Sequence, residues 1–150
     1  MKSTTIVAAG QRVTDAGHRY STGRQAVVRV LDGADRPLTT NEIAERGKKH
    51  GLVLSSVYRN LVVLESSGVV ARVVGWDDSL RYELAEALTD HHHHHLVCVE
   101  CGIVTDFEAP ARLEKAMSQA VADVTSTMGF QVHNHRFDLE GICAKCRAAK

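Results

Sequence analysis

Two Cys-x-x-Cys pairs, Cys98-Val-Glu-Cys101 and Cys143-Ala-Lys-Cys146, set the strongest constraint on this chain. Each pair places two thiolates at the tip of a tight turn. Two such knuckles together supply one tetrahedral ion with four ligands, a set that suits Zn(II). In a reducing compartment, four cysteines in two such pairs read as metal ligands rather than disulfides. A thioredoxin-type redox pair would account for one motif but not for both. Binding energy at such a site is also folding energy, roughly 10–16 kcal/mol in small zinc peptides. A small domain with a small core can use it.

Just before the first pair the chain reads Asp90, then His91 to His95, then Leu96-Val97-Cys98. A purification tag would sit at a terminus, whereas here residues 96–150 follow the run. A solvated histidine-rich loop is the bland alternative. In an extended segment neighbouring side chains point to opposite faces. His92 and His94 then share one face and His93 and His95 the other, so one run can serve two sites. A helix would give no such pairing. Other N/O ligands must complete each site: His133 and His135, Glu114, Glu83 and Asp106 are available. Imidazole and carboxylate without thiolate make an exchangeable site for Zn(II), Fe(II), Mn(II) or Ni(II). Any one of these histidines alone reads as a surface imidazole; five beside a four-cysteine site read as metal binding.

The 150 residues carry 18 basic and 18 acidic side chains, and 44% are hydrophobic. That supports real cores and excludes a disordered chain or a simple basic nucleic-acid coat. The charges are uneven: residues 1–60 hold ten Lys and Arg against five Asp and Glu. A basic first part and a more acidic remainder suggest two functions on one chain. Ile6 to Ala9 is too short for a signal-peptide core, and no apolar run reaches membrane-spanning length. The expectation is a cytoplasmic protein with no membrane partner.

Hydrophobic spacing predicts a helix from Ser21 or Thr22 to Leu31, closed at Gly33. A second runs from Thr39 or Thr40 to Gly47. Ser55 or Ser56 caps a third, Val57 to Ser66, with Val57, Leu61 and Leu64 on one face. Residues 69–74 and 80–84 read as two strands around the turn 75–79. Three short helices and a hairpin make a winged helix-turn-helix, with the third helix as the recognition helix. A hinge follows over 85–91. Beyond it, 93–99, 103–107 and 130–139 read as strands and 111–127 as a helix begun by Pro110. The expected fold class is α+β: a winged-helix DNA-binding domain (1–84), the hinge, and an α/β domain with the four-cysteine zinc site (92–150).

Several stretches together resemble the ferric uptake regulator (Fur) family of metal-responsive dimeric repressors. They are Gly51-Leu-Val-Leu-Ser-Ser-Val-Tyr-Arg-Asn-Leu61, Ser67 to Val70, Arg81-Tyr-Glu-Leu84, His91 to Gly102, Gly129-Phe130, and Asn134-His135 leading to Gly141-Ile-Cys143-Ala-Lys-Cys146. The resemblance spans nearly the whole chain. It implies that Cys98, Cys101, Cys143 and Cys146 hold one structural Zn(II) per chain. It implies a sensory site of His92, His94, Glu114 and His135. It also implies a hinge site of Glu83, His93 and His95, to which Asp106 adds a carboxylate in some members. The chain departs from the pattern at Pro37, where many members carry a histidine. It also has Ala71 where zinc-sensing relatives carry aspartate, and no cysteine just before the histidine run.

Tyr58 and Arg59 match the family's Val-Tyr-Arg motif. Arginine can pair with guanine edges and tyrosine can touch thymine methyls or phosphate. Ser55 and Ser56 could donate to phosphate, and Arg19 and Arg24 are candidate backbone or minor-groove contacts. As lone residues they would read as packing or solvated charge. The expected function is repression: regulatory Zn(II) or Fe(II), with Mn(II) a further candidate, closes a homodimer onto an A/T-rich palindromic operator. Five histidines favour zinc, and Glu83 in place of a cysteine favours iron. A peroxide sensor of the same family is the alternative, although Glu83 stands where such sensors carry aspartate. A zinc hydrolase lacks support, since no His-Glu-x-x-His motif is present. A metal-storage protein would leave the helix-turn-helix unexplained. No small organic substrate is expected.

Overall fold

The computed structural model describes residues 3–75, 77–89 and 92–149. Trp76 of the expected turn and Asp90 and His91 of the hinge lie outside the described residues. The element order is α1 (Ser3–Asp15), α2 (Thr22–Asp32), β1 (Leu38–Thr39), α3 (Thr40–Gly47), a 3₁₀ turn, α4 (Leu54–Ser66), β2 (Val70–Val74) and β3 (Leu80–Leu84). Then come α5 (Glu86–Thr89), β4 (His94–Cys98), β5 (Val104–Phe107), α6 (Ala111–Met128), β6 (Asp138–Gly141) and α7 (Ala144–Ala148). The fold is α+β. Two three-stranded sheets run in the orders β1-β3-β2 and β5-β4-β6.

The first sheet and α1 to α4 enclose one core. Val13, Val27, Leu38, Ile43, Val57, Leu64 and Val69 are all fully buried in it. Helix α2 crosses α4 closely: a Cβ on Gly23 would lie 2.8 Å from Asn60 Nδ2. The wing hairpin β2-β3 turns its Val73 away from this core to join Val97 and Val104. At the same contact Gly102, at φ +71, leaves room for the wing: a Cβ there would meet Asp77 and Arg81 within 3.4 Å. The wing therefore rests on the first cysteine knuckle.

Several boundaries differ from expectation. Helix α1 has no strong signal in its sequence; it forms by burying Ala9 and Val13 against the core. Helix α4, expected as the recognition helix, starts at Leu54 rather than after Ser55 or Ser56, because Val53 is the cap. Ser56 Oγ closes that end, accepting from Val53 N–H at 3.2 Å and donating to Val53 O at 2.8 Å. The strand expected over 130–139 survives only as β6, which pairs in parallel with β4 from His95 opposite Asp138 onward. Upstream, Asn134 Oδ1 takes the His135 N–H at 2.8 Å, a local bond that competes with a sheet ladder. The hinge contains the short helix α5.

At α3 the cap is a reciprocal box: Thr39 Oγ1 accepts from Glu42 N–H, and Glu42 Oε2 accepts from Thr39 N–H at 2.8 Å. Arg36 adds a charged donor to the same carboxylate. Burial raises the Glu42 carboxyl pKa, but the bonds from Arg36 and Thr39 win and hold it at about 2. Glu42→Ala is expected to cost about 1 kcal/mol in urea unfolding at neutral pH. Because the folded value is depressed, that contribution is full above the ordinary value of 4.5 and is lost as pH falls through about 2. The difference between the two proteins should shrink across that window.

The second half has little core of its own. Helix α6 has no buried residue and β6 is exposed throughout. Met128 and Phe130 are 71% and 70% exposed, and Leu96, Leu139 and Ile142 are also open.

Candidate metal centres

Four sulfurs converge where β4 ends. Cys98 is the last residue of β4, Cys101 closes the following turn, and Cys143 caps α7, which carries Cys146. The first knuckle is held by Gly102 N–H to Cys98 O and Cys98 N–H to Ile103 O, both at 2.9 Å. The second is brought alongside by Val99 N–H to Gly141 O at 2.9 Å. All four sulfurs lie within 4.8 Å of one another and none is in a disulfide. Cys101 and Cys143 Sγ are 3.8 Å apart. Zinc–sulfur bonds of 2.3 Å in a tetrahedron place sulfurs about 3.8 Å apart, so the donor set fits a structural Zn(II). Backbone N–H groups of Cys143 and Cys101 donate to Cys98 sulfur and draw its pKa down to about 6, favouring the thiolate.

The alternation of the histidine run divides it as expected. His92 and His94 turn to one side, where Glu114 reaches from the first turn of α6 and His135 from the segment before β6. His94 Nε2 is 2.6 Å from Glu114 Oε1, and His92 Nε2 is 3.1 Å from His135 Nε2. Glu114 Oε2 is 3.6 Å from His92 and 3.5 Å from His135. His94 is buried, with Phe107 and Phe137 against its ring. The Glu114 carboxyl pKa lies below its ordinary value, chiefly through the bond with His94.

On the other side, Glu83 of the wing strand meets His93 and His95. Glu83 Oε2 is 3.0 Å from His93 Nε2 and 3.3 Å from His95 Nε2. Asp106 Oδ1 is 3.9 Å from His95. Burial would raise the Glu83 pKa, but the two imidazoles override it and hold it at about 2. For His95 burial opposes the charged form, but Glu83 and Asp138 outweigh it and the net shift is upward. Burial also raises Asp106. In each imidazole–carboxylate cluster the ligand atoms lie within 4.8 Å. Bonds of 2.0–2.1 Å in a tetrahedron separate donors by about 3.3 Å, close to most of these spacings. Two imidazole nitrogens facing one another across 3.1 Å can share at most a proton or a cation.

Ala71 sits directly opposite Glu83 in the β2–β3 register and offers no ligand atom, and Pro37 is fully buried. The candidate ligands of this cluster are Glu83, His93, His95 and Asp106. Cavities of about 440 and 380 Å³ flank Glu83 and His93 on two sides. His133 lines the smaller cavity but belongs to neither cluster. Two carboxylates not anticipated from the sequence also touch the run: Glu86 at His92 and Asp138 at His95. Only the tertiary fold brings Asp138 there, through the His95–Asp138 pairing of β4 and β6.

On α4, Ser55, Tyr58, Arg59 and Val62 are exposed, and the Tyr58 hydroxyl accepts from Thr40 Oγ1 at 3.3 Å. Ser56 spends its hydroxyl on the cap. Arg19 is exposed, while Arg24 folds back to donate to the Arg19 carbonyl.

The sequence model of the ferric uptake regulator family matches residues 15–140. This chain belongs to the ferric uptake regulator family. It is 31% identical over 135 residues to the peroxide-responsive repressor PerR of Staphylococcus epidermidis, covering 88% of this chain and 83% of that protein. The ferric uptake regulator of Helicobacter pylori, described with three functional metal-binding sites, superposes with a TM-score of 0.74 at 27% identity, covering 98% of this chain and 97% of that one. The Vibrio cholerae ferric uptake regulator superposes at 0.70 with 28% identity, over 89% of this chain and 98% of that one. A Fur-family chain is a metal-dependent DNA-binding transcription regulator, not an enzyme. No helix among the described residues is long and apolar enough to cross a membrane.

Proposed function

We propose that this Fur-family chain is a homodimeric repressor, with domains 1–84 and 92–150 joined at 85–91, that grips a palindromic A/T-rich operator when its regulatory centres are filled. The convergence of Glu83 from the wing strand with His93 and His95 carries this reading. A divalent ion supplies the attraction that holds these anionic and neutral donors together. Glu83 and the two histidines lie on opposite sides of the hinge, so keeping them together fixes the winged helix relative to the second half. The regulatory ion is Zn(II) or Fe(II), with Mn(II) compatible with the same N/O donors. Cys98, Cys101, Cys143 and Cys146 hold a structural Zn(II).

The open apolar face of α6 and β6, with Met128, Phe130 and Leu139, supports the dimer: a copy of the same face would cover it. Ser55, Tyr58 and Arg59 lie on the exposed side of α4 that would enter the major groove. Arg19 is a candidate phosphate contact from the turn before α2; Arg24 and Ser56 support that reading less, since each is already bonded within the chain.

Metal content before and after mild chelation, then anaerobic Zn(II) and Fe(II) titrations against a palindromic operator library, test this proposal. One retained zinc, with operator binding restored by one of the two ions, is the expected result. Operator binding indifferent to metal would overturn it. The double variant Tyr58→Ala, Arg59→Ala should lose about 10-fold or more in operator affinity while taking up the same metal, since each good base contact contributes roughly 1–3 kcal/mol.

The identity with a peroxide-responsive repressor favours a second reading, in which Fe(II) at Glu83, His93, His95 and Asp106 makes the protein sensitive to peroxide. Peptide mapping with fragmentation to the residue, after peroxide treatment of the Fe(II) form, decides it. A gain of one oxygen on the peptide holding His93 and His95 supports that reading, and an unchanged mass excludes it.

A further inference from the structure

Both oxygens of the Glu86 carboxylate lie against His92 Nδ1, at 3.1 and 3.0 Å. The other nitrogen of the same ring, Nε2, faces His135 Nε2 at 3.1 Å and Glu114 at 3.6 Å. An ionised carboxylate only accepts. In the neutral ring Nδ1 therefore carries the proton and Nε2 keeps the lone pair that a metal ligand needs. A ligand imidazole held from behind by a carboxylate is oriented and made more basic.

Glu86 is not part of the half that supplies the four ligands. It opens α5, two residues after the wing strand ends. On one side of it Ala85 N–H is bonded to Val69 O at 2.9 Å. On the other, Arg12 of α1 donates to Ala87 O at 3.1 Å and to Gly68 O at 2.8 Å. The segment bearing Glu86 is thus fastened to the winged-helix core from both sides. His93 N–H also reaches Glu86 Oε1, at 3.4 Å, and the His93 imidazole belongs to the Glu83 cluster.

We propose that Glu86 is a positioning residue through which the winged-helix half holds His92 in the tautomer and direction required by the centre of His92, His94, Glu114 and His135. That centre draws all four ligands from the second half, and Glu86 is its tie to the first. Displacing α5 weakens the centre, and filling the centre holds α5 in place, because coupling between two binding events is reciprocal. This inference rests on the reading of that cluster as a metal site.

The test uses the full chain carrying its four-cysteine zinc, unchanged and as Glu86→Ala and Glu86→Gln. Imidazole nitrogen NMR without further metal reports the tautomer. His92 should be protonated at Nδ1 in the unchanged chain and in Glu86→Gln, whose side-chain carbonyl accepts the same proton. Glu86→Ala should give a mixture with the Nε2–H form. Titration with Zn(II) against a competing chelator should then show one of the two weaker equivalents bound about 10- to 100-fold less tightly in Glu86→Ala, and less affected in Glu86→Gln. An unchanged tautomer and unchanged affinity in Glu86→Ala would overturn the role of Glu86 and leave the metal centre standing. If the unchanged chain binds no Zn(II) beyond the first equivalent, the centre itself is overturned, and the inference with it.

Discussion

Cys98→Ser should unfold the second half of the chain at temperatures where the first half stays folded. The reason is the distribution of burial. Residues of α1 to α4 and β1 to β3 share one continuous core, whereas the second half contributes Val97, Cys98 and Val104, with His94 and His95, as its buried side chains among the described residues. A four-thiolate zinc contributes roughly 10–16 kcal/mol in small peptides, against a total stability of about 5–15 kcal/mol for an ordinary domain. Losing one thiolate leaves the second half without its largest stabilising contribution. Cys98 is the most consequential of the four, since it both ends β4 and accepts the Cys143 N–H at 3.3 Å. Thermal unfolding followed by circular dichroism should resolve into two transitions, the earlier one abolished by zinc in the unchanged protein only. Amide spectra should keep the dispersed signals of residues such as Val27 and Leu64. A single transition at the unchanged temperature would show that the cysteines are not a structural site.

Much of this was legible in the sequence because it follows from short-range rules. The period of two in an extended chain separates His92 and His94 from His93 and His95, wherever the strand begins. The spacing within each Cys-x-x-Cys needs only a turn. The third helix and the wing follow from Val57, Leu61 and Leu64 and from two β-branched runs. What was not legible depends on long-range contacts. Helix α1, with Ala8-Ala9-Gly10 amid β-branched residues, has little propensity and exists because Ala9 and Val13 are buried. The strand expected over 130–139 looks extended throughout, but β4 offers it partners only from His95 onward. Asp138 and Glu86 reach their histidines through that register and through the helical turn of the hinge. No local spacing announces either one. Val53 at the helix cap defeats the preference for serine because the reciprocal bond comes from Ser56 instead.

The triple variant Glu83→Ala, His93→Ala, His95→Ala should retain its four-cysteine zinc and its fold but lose the metal dependence of operator binding. The affinity gained on adding the regulatory ion, about 5- to 150-fold for a typical allosteric coupling, should collapse to none. The argument is one of position. Glu83 is paired in the wing sheet opposite Ala71, and His95 is paired in the second sheet opposite Asp106. Each side chain is therefore fixed to its own half, and an ion bound by both has a stronger grip when the halves are in register than when they are apart. Only such a difference in affinity between two arrangements can shift their populations. Without these three donors the chain has no such bridge at the Glu83 position, since Ala71 offers no ligand and Pro37 is buried. Alanines there remove the Glu83 carboxylate together with its imidazole partners, and the two carboxylates that lose His95, Asp106 and Asp138, are 35% and 33% exposed and so within reach of water. Operator affinity measured with and without Zn(II) and Fe(II), beside the melting curve, separates the outcomes. A variant that still responds to metal with the same fold-change would move the switch to the Glu114 cluster. In that case Glu86, which touches His92 of that cluster, would be a contact able to carry the signal.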